Sequence, residues 1–225
     1  PMQEDPPPEL EWQEHVPVST RFGDPYFSAA DGLAESRHVF LAGNDLPGRF
    51  RPGFHIAELG FGTGLNALAA LQAWRLSAIE GRLRYTAFEA FPMTAADMAR
   101  ALAAWPELAP LADPLLRAWK KGARRIALDG LELTVIVGDA RATLPETAIT
   151  ADAWFLDGFA PARNPELWEP GLLRAVAERT APGGTLATYS AAGNVRRALA
   201  GAGLVVTRAP GFGRKRHMTR AARPA

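Results

Sequence analysis

The sequence predicts a single α/β domain built on an open, mainly parallel sheet with helices on both faces. Short apolar runs bounded by turn residues, such as AWFLDGFAP and TLATYS, alternate with segments of helical periodicity such as PELWEPGLLRAVAERTA. No internal repeat interrupts that order. The 225 residues, 48% of them apolar, are enough for one such domain with a modest insertion and a real core.

The elements follow in chain order. The acidic, proline-rich start PMQEDPPPELEWQEH reads as part of a tail over residues 1–21, with Pro1 as an added residue ahead of a natural start at Met2. Strand 54–59 comes first, because an apolar run there ends in glycines. It is followed by helix 64–75, strand 83–89, helices 94–104 and 112–120, strand 132–137 and helix 140–144. Strand 152–157, helix 166–179, strand 185–190, helix 193–201 and strands 203–208 and 215–220 complete the order. Two helices between Glu89 and Leu133 exceed an ordinary crossover, so 92–125 reads as a helical insertion over one end of the sheet. The domain proper spans 22–220, and 221–225 is a second short tail.

Composition removes several function classes. Without cysteine there is no disulfide frame, zinc knuckle or thiol nucleophile, and His15, His38, His55 and His217 are too scattered to suggest a metal site. No apolar run is long enough to cross a bilayer and the start lacks the form of a secretion signal, so a soluble, cytoplasmic protein is expected. The net charge of +1 conceals an asymmetry: after Glu178 there are nine Arg/Lys and no acid, which leaves the preceding part at −8. A basic end of this kind predicts a polyanionic partner, against the plainer reading of a solvated basic surface.

The chemistry-bearing stretch is FHIAELGFGTGLNALAALQAW, Phe54 to Trp74, which joins the first strand to the first helix. Glycines at such a turn let backbone N–H groups face a polar ligand. Gly60, Gly62 and Gly64 give G-x-G-x-G, whereas the dinucleotide fingerprint needs glycine where Leu65 stands. No Lys-Ser/Thr pair follows, which excludes a triphosphate loop. Glu58, two residues before the first glycine, has the wrong charge for a diphosphate and suits a cationic ligand.

ELGFGTG resembles the first motif of class I S-adenosylmethionine-dependent methyltransferases. That resemblance implies a Rossmann-like, mainly parallel seven-stranded sheet closed by a C-terminal antiparallel hairpin, with S-adenosylmethionine as cofactor. It implies cofactor contacts from Glu58, Gly60, Phe61, Gly62, Gly64 and Asn66, and from Glu89 in YTAFEAFP, the acid that takes both ribose hydroxyls. Asp139 in VIVGDA is then the acid near the adenine amino group, and Asp157 stands beside the methyl donor.

The D-G-F-A-P run from Asp157 resembles the Asp/Asn-Pro-Pro-aromatic motif of amino-methyltransferases. The physical need is a carboxylate and a neighbouring backbone carbonyl that accept the two N–H bonds of an amine and aim its lone pair at the methyl carbon. Phe159 is then suited to stack on a planar base, and Asp157 and Phe159 form the expected catalytic pair. The competing reading makes Asp157 a turn former and Phe159 a core residue; three upstream motifs in the right order weigh against it.

A narrower resemblance covers about residues 22–219. DPYFSAADGLAESRHVFLAGNDLPGRF, ELGFGTGLN, FEAFP, WPEL, WFLDGFAPARNPELW, PGGTLATYS and GFGRKRHM together resemble the methyltransferase half of the bifunctional tRNA 5-methylaminomethyl-2-thiouridine biosynthesis family. This implies N-methylation of the 5-aminomethyl group on a tRNA wobble uridine, the anticodon arm as partner, and a flavin-dependent oxidase supplying the upstream step. The chain stops at TRAARPA where that oxidase half would follow, so a stand-alone version and an excised domain are both open.

The N-terminal run with Tyr26, Phe27, Arg37, His38 and Asn44 is expected to fold over the ligand pocket. GFGRKRHMTR is expected on the final hairpin, with Arg214, Lys215 and Arg216 entering the closing strand to grip phosphate, Arg214 and Arg216 on one face and Lys215 on the other. Lys120, Lys121, Arg124 and Arg125 read as a solvated helix end. The rivals are a class I methyltransferase acting on another RNA or a protein amine, a polyamine aminopropyltransferase-like enzyme, and a non-catalytic RNA-binding protein. The second would need further acids for a polycation, and the third would need neither Glu89 nor Asp157.

Overall fold

The computed structural model describes residues 6–225, so the reading of Pro1 and Met2 lies outside them. A small antiparallel sheet comes first: β1 (Leu10–Gln13), β2 (Val16–Ser19) and β3 (Asp24–Pro25), in the order β1-β2-β3. The stretch expected as a tail therefore carries a hairpin; its short alternation of apolar and polar residues is what two paired strands need. Helix α1 (Gly32–Ser36), capped by the Asp31 side chain on the Ala34 N–H at 2.9 Å, runs on through a π-type turn at Arg37–Leu41.

The main sheet begins with β4 (His55–Leu59), buried at all five positions as a central parallel strand must be. Then come α2 (Leu65–Leu76), β5 (Leu83–Glu89), α3 (Ala95–Leu102), α4 (Ala109–Lys120), β6 (Arg125–Leu128) and β7 (Leu131–Val137). The second half holds α5 (Ala140–Glu146), β8 (Ala151–Leu156), α6 (Pro170–Glu178), β9 (Thr180–Thr188), α7 (Gly193–Gly201), β10 (Val205–Pro210) and β11 (His217–Ala222). The strand order is β10-β11-β9-β8-β4-β5-β7-β6, with β4, β5, β7, β8 and β9 parallel and β6, β10 and β11 antiparallel to their neighbours.

The class I architecture and its C-terminal hairpin are thus present, with three differences of detail. The sheet has eight strands, because Arg125–Leu128, expected at the end of the insertion, folds back on β7 as an edge strand. The predicted helix 166–179 breaks into a short turn at Pro165–Trp168 and α6, since Pro170 has no N–H to continue the turn and suits a first helical position. The last strand begins at His217 rather than residue 215 and runs to Ala222, into the expected tail. Arg214, Lys215 and Arg216 therefore lie in the connecting turn, where strand alternation does not sort them.

Two buried apolar layers cover the two faces. Ile56, Tyr85, Ala87, Ala153 and Phe155 pack with α2, α3 and α4, and Leu59, Phe88, Trp154 and Leu156 pack with α6 and α7. The chain leaves β4 to build one half of the sheet through β5 and returns through β8 on its other side. This switch point opens a crevice at the carboxyl ends of β4 and β8. Among the described residues no helix is long and apolar enough to cross a membrane.

Candidate active site

Register decides what meets at that crevice. Leu59 pairs with Phe88 on one side and with Leu156 on the other, so the next residues, Gly60, Glu89 and Asp157, stand level at the carboxyl ends of three adjacent strands. A Cβ on Gly60 would come within 2.7 Å of the Asp157 carbonyl oxygen, and its φ is +84°, so both space and backbone exclude other residues there.

A cavity of about 550 Å³ opens over these residues, in the size range of sites for a small ligand. Of the residues expected to bind cofactor or substrate, Gly60, Phe61, Gly62, Asn66, Glu89, Asp139, Asp157 and Phe159 line it. Glu58, Gly64 and the basic trio Arg214, Lys215 and Arg216 do not.

Glu89 accepts N–H bonds from Gly62 at 2.9 Å and Phe91 at 2.8 Å. Burial pushes its carboxyl above the usual range, and the backbone N–H groups oppose that push. A carboxylate has about four acceptor positions, so two bonds leave room for hydroxyls from a ligand. Together with the glycine turn, this donor and acceptor set fits a ribose-bearing ligand such as S-adenosylmethionine.

Glu58 behaves differently. It shares a strand face with Ile56, so its side chain enters the packed layer under α2, where Asn66 Nδ2 donates to Oε1 and the Tyr85 hydroxyl to Oε2, each at 2.7 Å. It is fully buried, and burial followed by the charge of Asp157 pushes its carboxyl well above the ordinary value. The acid expected to face a cation instead faces the protein interior.

Asn66 joins the two carboxylates. The second hydrogen of its amide goes to Asp157 Oδ2 at 2.8 Å, and its oxygen accepts from Ser36 Oγ at 2.5 Å. Asp157 Oδ1 accepts the Gly158 N–H at 2.8 Å. Burial raises the Asp157 carboxyl to about 7 against the pull of those bonds; the charge of Glu35 adds to the rise and that of Lys215 opposes it. Tyr85→Phe leaves Glu58 Oε2 without its donor, and we expect the variant to lose about 1–3 kcal/mol of stability in denaturant unfolding.

Asp139 caps α5 through the Arg141 N–H at 2.9 Å, and both its oxygens are held by the Arg141 guanidinium, the shortest bond being 2.7 Å. The guanidinium keeps this carboxyl below its usual range. Phe61 stacks on Trp119 with centroids 5.2 Å apart. Phe159 stacks on Phe22 at 4.8 Å and meets Tyr26 edge-on at 4.9 Å, so aromatic rings from the N-terminal run already cover it. Of the run expected over the cavity, Tyr26 and Phe27 line it, whereas Arg37, His38 and Asn44 do not.

Sequence reasoning missed Tyr85, Ser36, Glu35, Phe22 and Tyr189, whose hydroxyl donates to the Gly158 carbonyl at 2.6 Å. Parity along β5 would have found Tyr85, four residues before Glu89 on one face. Nothing local marks the others, which arrive from separate elements.

Residues 106–224 match the family model described as S-adenosyl-L-methionine-dependent methyltransferase. The chain belongs to that family. S-Adenosylmethionine is accordingly the cofactor of this methyltransferase. It is 50% identical over 222 residues to the tRNA 5-methylaminomethyl-2-thiouridine biosynthesis bifunctional protein MnmC of Ectopseudomonas mendocina, covering 93% of this chain and 34% of that protein. The identity to the protein of the same description from Chromobacterium violaceum is 47%, over 94% of this chain and 34% of that one. The methyltransferase thus spans about a third of the length of the curated relatives it matches. Among solved structures it is similar to MNMC2 from Aquifex aeolicus, with a TM-score of 0.79 and 28% identity, covering 99% of this chain and 74% of that one.

Proposed function

We propose that this methyltransferase transfers one methyl group to the 5-aminomethyl group of a (2-thio)uridine at the tRNA wobble position, giving 5-methylaminomethyl-2-thiouridine. The observation that carries the reading is the Asp157 carboxylate, level with Gly60 and Glu89 in one cavity and followed by the ring of Phe159. The names of the MnmC relatives support the substrate class. A flavin-dependent oxidase, on the same polypeptide or another, would supply the free aminomethyl group, and a tRNA substrate implies a cytoplasmic site of action.

The cofactor supplies an activated methyl on a sulfonium, so the chain's task is alignment rather than strong acid–base catalysis. Glu89 holds the ribose, the turn from Gly60 to Gly64 admits the ligand to its backbone N–H groups, and Asp139 with Arg141 borders the adenine. Glu58 acts at one remove, by fixing Asn66. Asp157 accepts an N–H of the amine, and Phe159 with Phe22 and Tyr26 forms the apolar wall that disfavours ammonium. With a lysine-like pKa, deprotonating the amine near neutral pH costs roughly 4 kcal/mol, which an apolar wall lowers. The test is mass spectrometry of nucleosides from tRNA carrying 5-aminomethyl-2-thiouridine after incubation with S-adenosylmethionine; a gain of one methyl on that nucleoside is expected, and an unchanged nucleoside refutes the reading.

Five of the nine basic residues after Glu178 remain for phosphate. Arg196, Arg197, Arg208, Arg214 and Arg216 make no ion pair among the described residues. Arg220 pairs with Asp45 at 2.6 Å, Lys215 with Glu35, and Arg179 and Arg223 donate to backbone carbonyls. The free set lies on α7 and the β10–β11 hairpin, which pack at one edge of the sheet. Replacing Arg214 and Arg216 by Ala should weaken tRNA binding and flatten the slope of log affinity against log salt by roughly 0.7 to 0.9 for each phosphate left unneutralised, with cofactor affinity unchanged. Titration at several salt concentrations reads it, and an unchanged slope moves the RNA surface elsewhere.

A further inference from the structure

A primary amine offers two N–H bonds, and a site that takes both fixes the direction of the nitrogen lone pair. Asp157 supplies one acceptor. The expected second, a neighbouring backbone carbonyl, is partly engaged: the Gly158 carbonyl accepts the Tyr189 hydroxyl at 2.6 Å, which leaves it one acceptor position, and the Asp157 carbonyl packs against Gly60. Glu35, from α1, lines the same cavity. Its side chain is only 15% exposed and accepts no hydrogen bond among the described residues.

The nearest cation to Glu35 is Lys215 Nζ at 3.6 Å, which also lies 4.2 Å from the centroid of the Tyr189 ring. The turn that carries Lys215 is drawn against α1 and its continuation by His38 Nε2, which donates to the Pro210 carbonyl at 2.8 Å. Glu35 is therefore paired with Lys215 and keeps acceptor positions to spare. Glu35 and Asp157 line the same cavity, and the charge of Glu35 adds to the rise of the Asp157 carboxyl.

We propose that Glu35 is the second acceptor of the substrate amine and that it limits the reaction to one methyl group; this rests on the function proposed above. In the transfer the N–C bond forms as the C–S bond breaks. The sulfonium becomes a neutral thioether, and the nitrogen becomes a secondary ammonium that yields one proton to water. The product amine then has a single N–H. It can satisfy Asp157 or Glu35 but not both, and a second transfer would press its methyl group against the other carboxylate, which loses water and gains no donor.

The experiment compares the wild-type chain with Glu35→Ala and Glu35→Gln on tRNA carrying 5-aminomethyl-2-thiouridine, reading nucleosides by mass spectrometry and S-adenosylmethionine binding by calorimetry. Glu35→Ala should bind the cofactor within about twofold of wild type, lose about tenfold in kcat/KM as one orienting bond disappears, and carry part of the product on to the dimethylamino form. Glu35→Gln, which keeps an acceptor oxygen, should restore the monomethyl product. Unchanged kcat/KM with monomethyl product alone in Glu35→Ala overturns the proposal, as does cofactor affinity that falls with activity, which would make Glu35 a cofactor ligand. A wild-type chain that leaves this nucleoside unmodified refutes the underlying function and the proposal with it.

Discussion

Asp157→Ala is expected to lower methyl transfer by roughly two orders of magnitude or more while S-adenosylmethionine binds nearly as before, because the side chain orients the acceptor and leaves the ribose contacts untouched. Calorimetry beside single-turnover rates separates the two. Affinity that collapsed in parallel with rate would make Asp157 a cofactor ligand or a fold determinant. Its protonation gives a second readout. With a carboxyl near 7, Asp157 is neutral below that pH and cannot accept two donors as a carboxylate does. A free lysine-like amine titrates near 10. Wild-type kcat/KM should therefore climb with a log slope of about 2 below pH 7 and about 1 above it, whereas Asp157→Asn should climb with a slope of about 1 throughout. A wild-type profile without the break near 7 would remove Asp157 from the ionisations that matter.

Glu89→Ala is expected to weaken S-adenosylmethionine binding by about 2–4 kcal/mol, or roughly 30-fold to 1,000-fold, through the loss of two charge-assisted bonds to the ribose hydroxyls. The same carboxylate also ties the Gly62 and Phe91 N–H groups, so its removal loosens the turn that carries the ligand. Glu89→Gln should fare little better, since its NH₂ group turns a donor toward one of those N–H donors. Isothermal titration decides the matter, and an affinity within twofold of wild type would show that Glu89 holds the loop alone.

Much of this was legible from local pattern. The parallel order follows from alternating apolar runs and helical periods, and the glycine turn marked its own place between β4 and α2. Acids at the ends of β5 and β8 were readable because a strand end at the switch point faces ligand whatever packs behind it. Glu58 differs for a related reason: distance from the glycines places it near the turn, but side-chain parity along β4 decides which face an acid enters. The basic trio was misassigned because a shift of two residues in the start of β11 moves it from a strand into a turn.

By itself the sequence determined the class of fold, the glycine turn between β4 and α2, and the carboxylates at the ends of the strands, all of which depend on residues near one another in the chain. Only the tertiary structure decided how those carboxylates are held. Asn66 reaches across 91 positions to Asp157 and across 30 to Ser36, and Tyr189 reaches across 31 to the Gly158 carbonyl. The contact of Lys215 with Glu35 likewise joins the last hairpin to the first helix. Contacts of that span are set by strand order and register, and every local pattern is compatible with several of each; burial then demands a hydrogen-bond partner for each polar group, and the packed neighbours supply it.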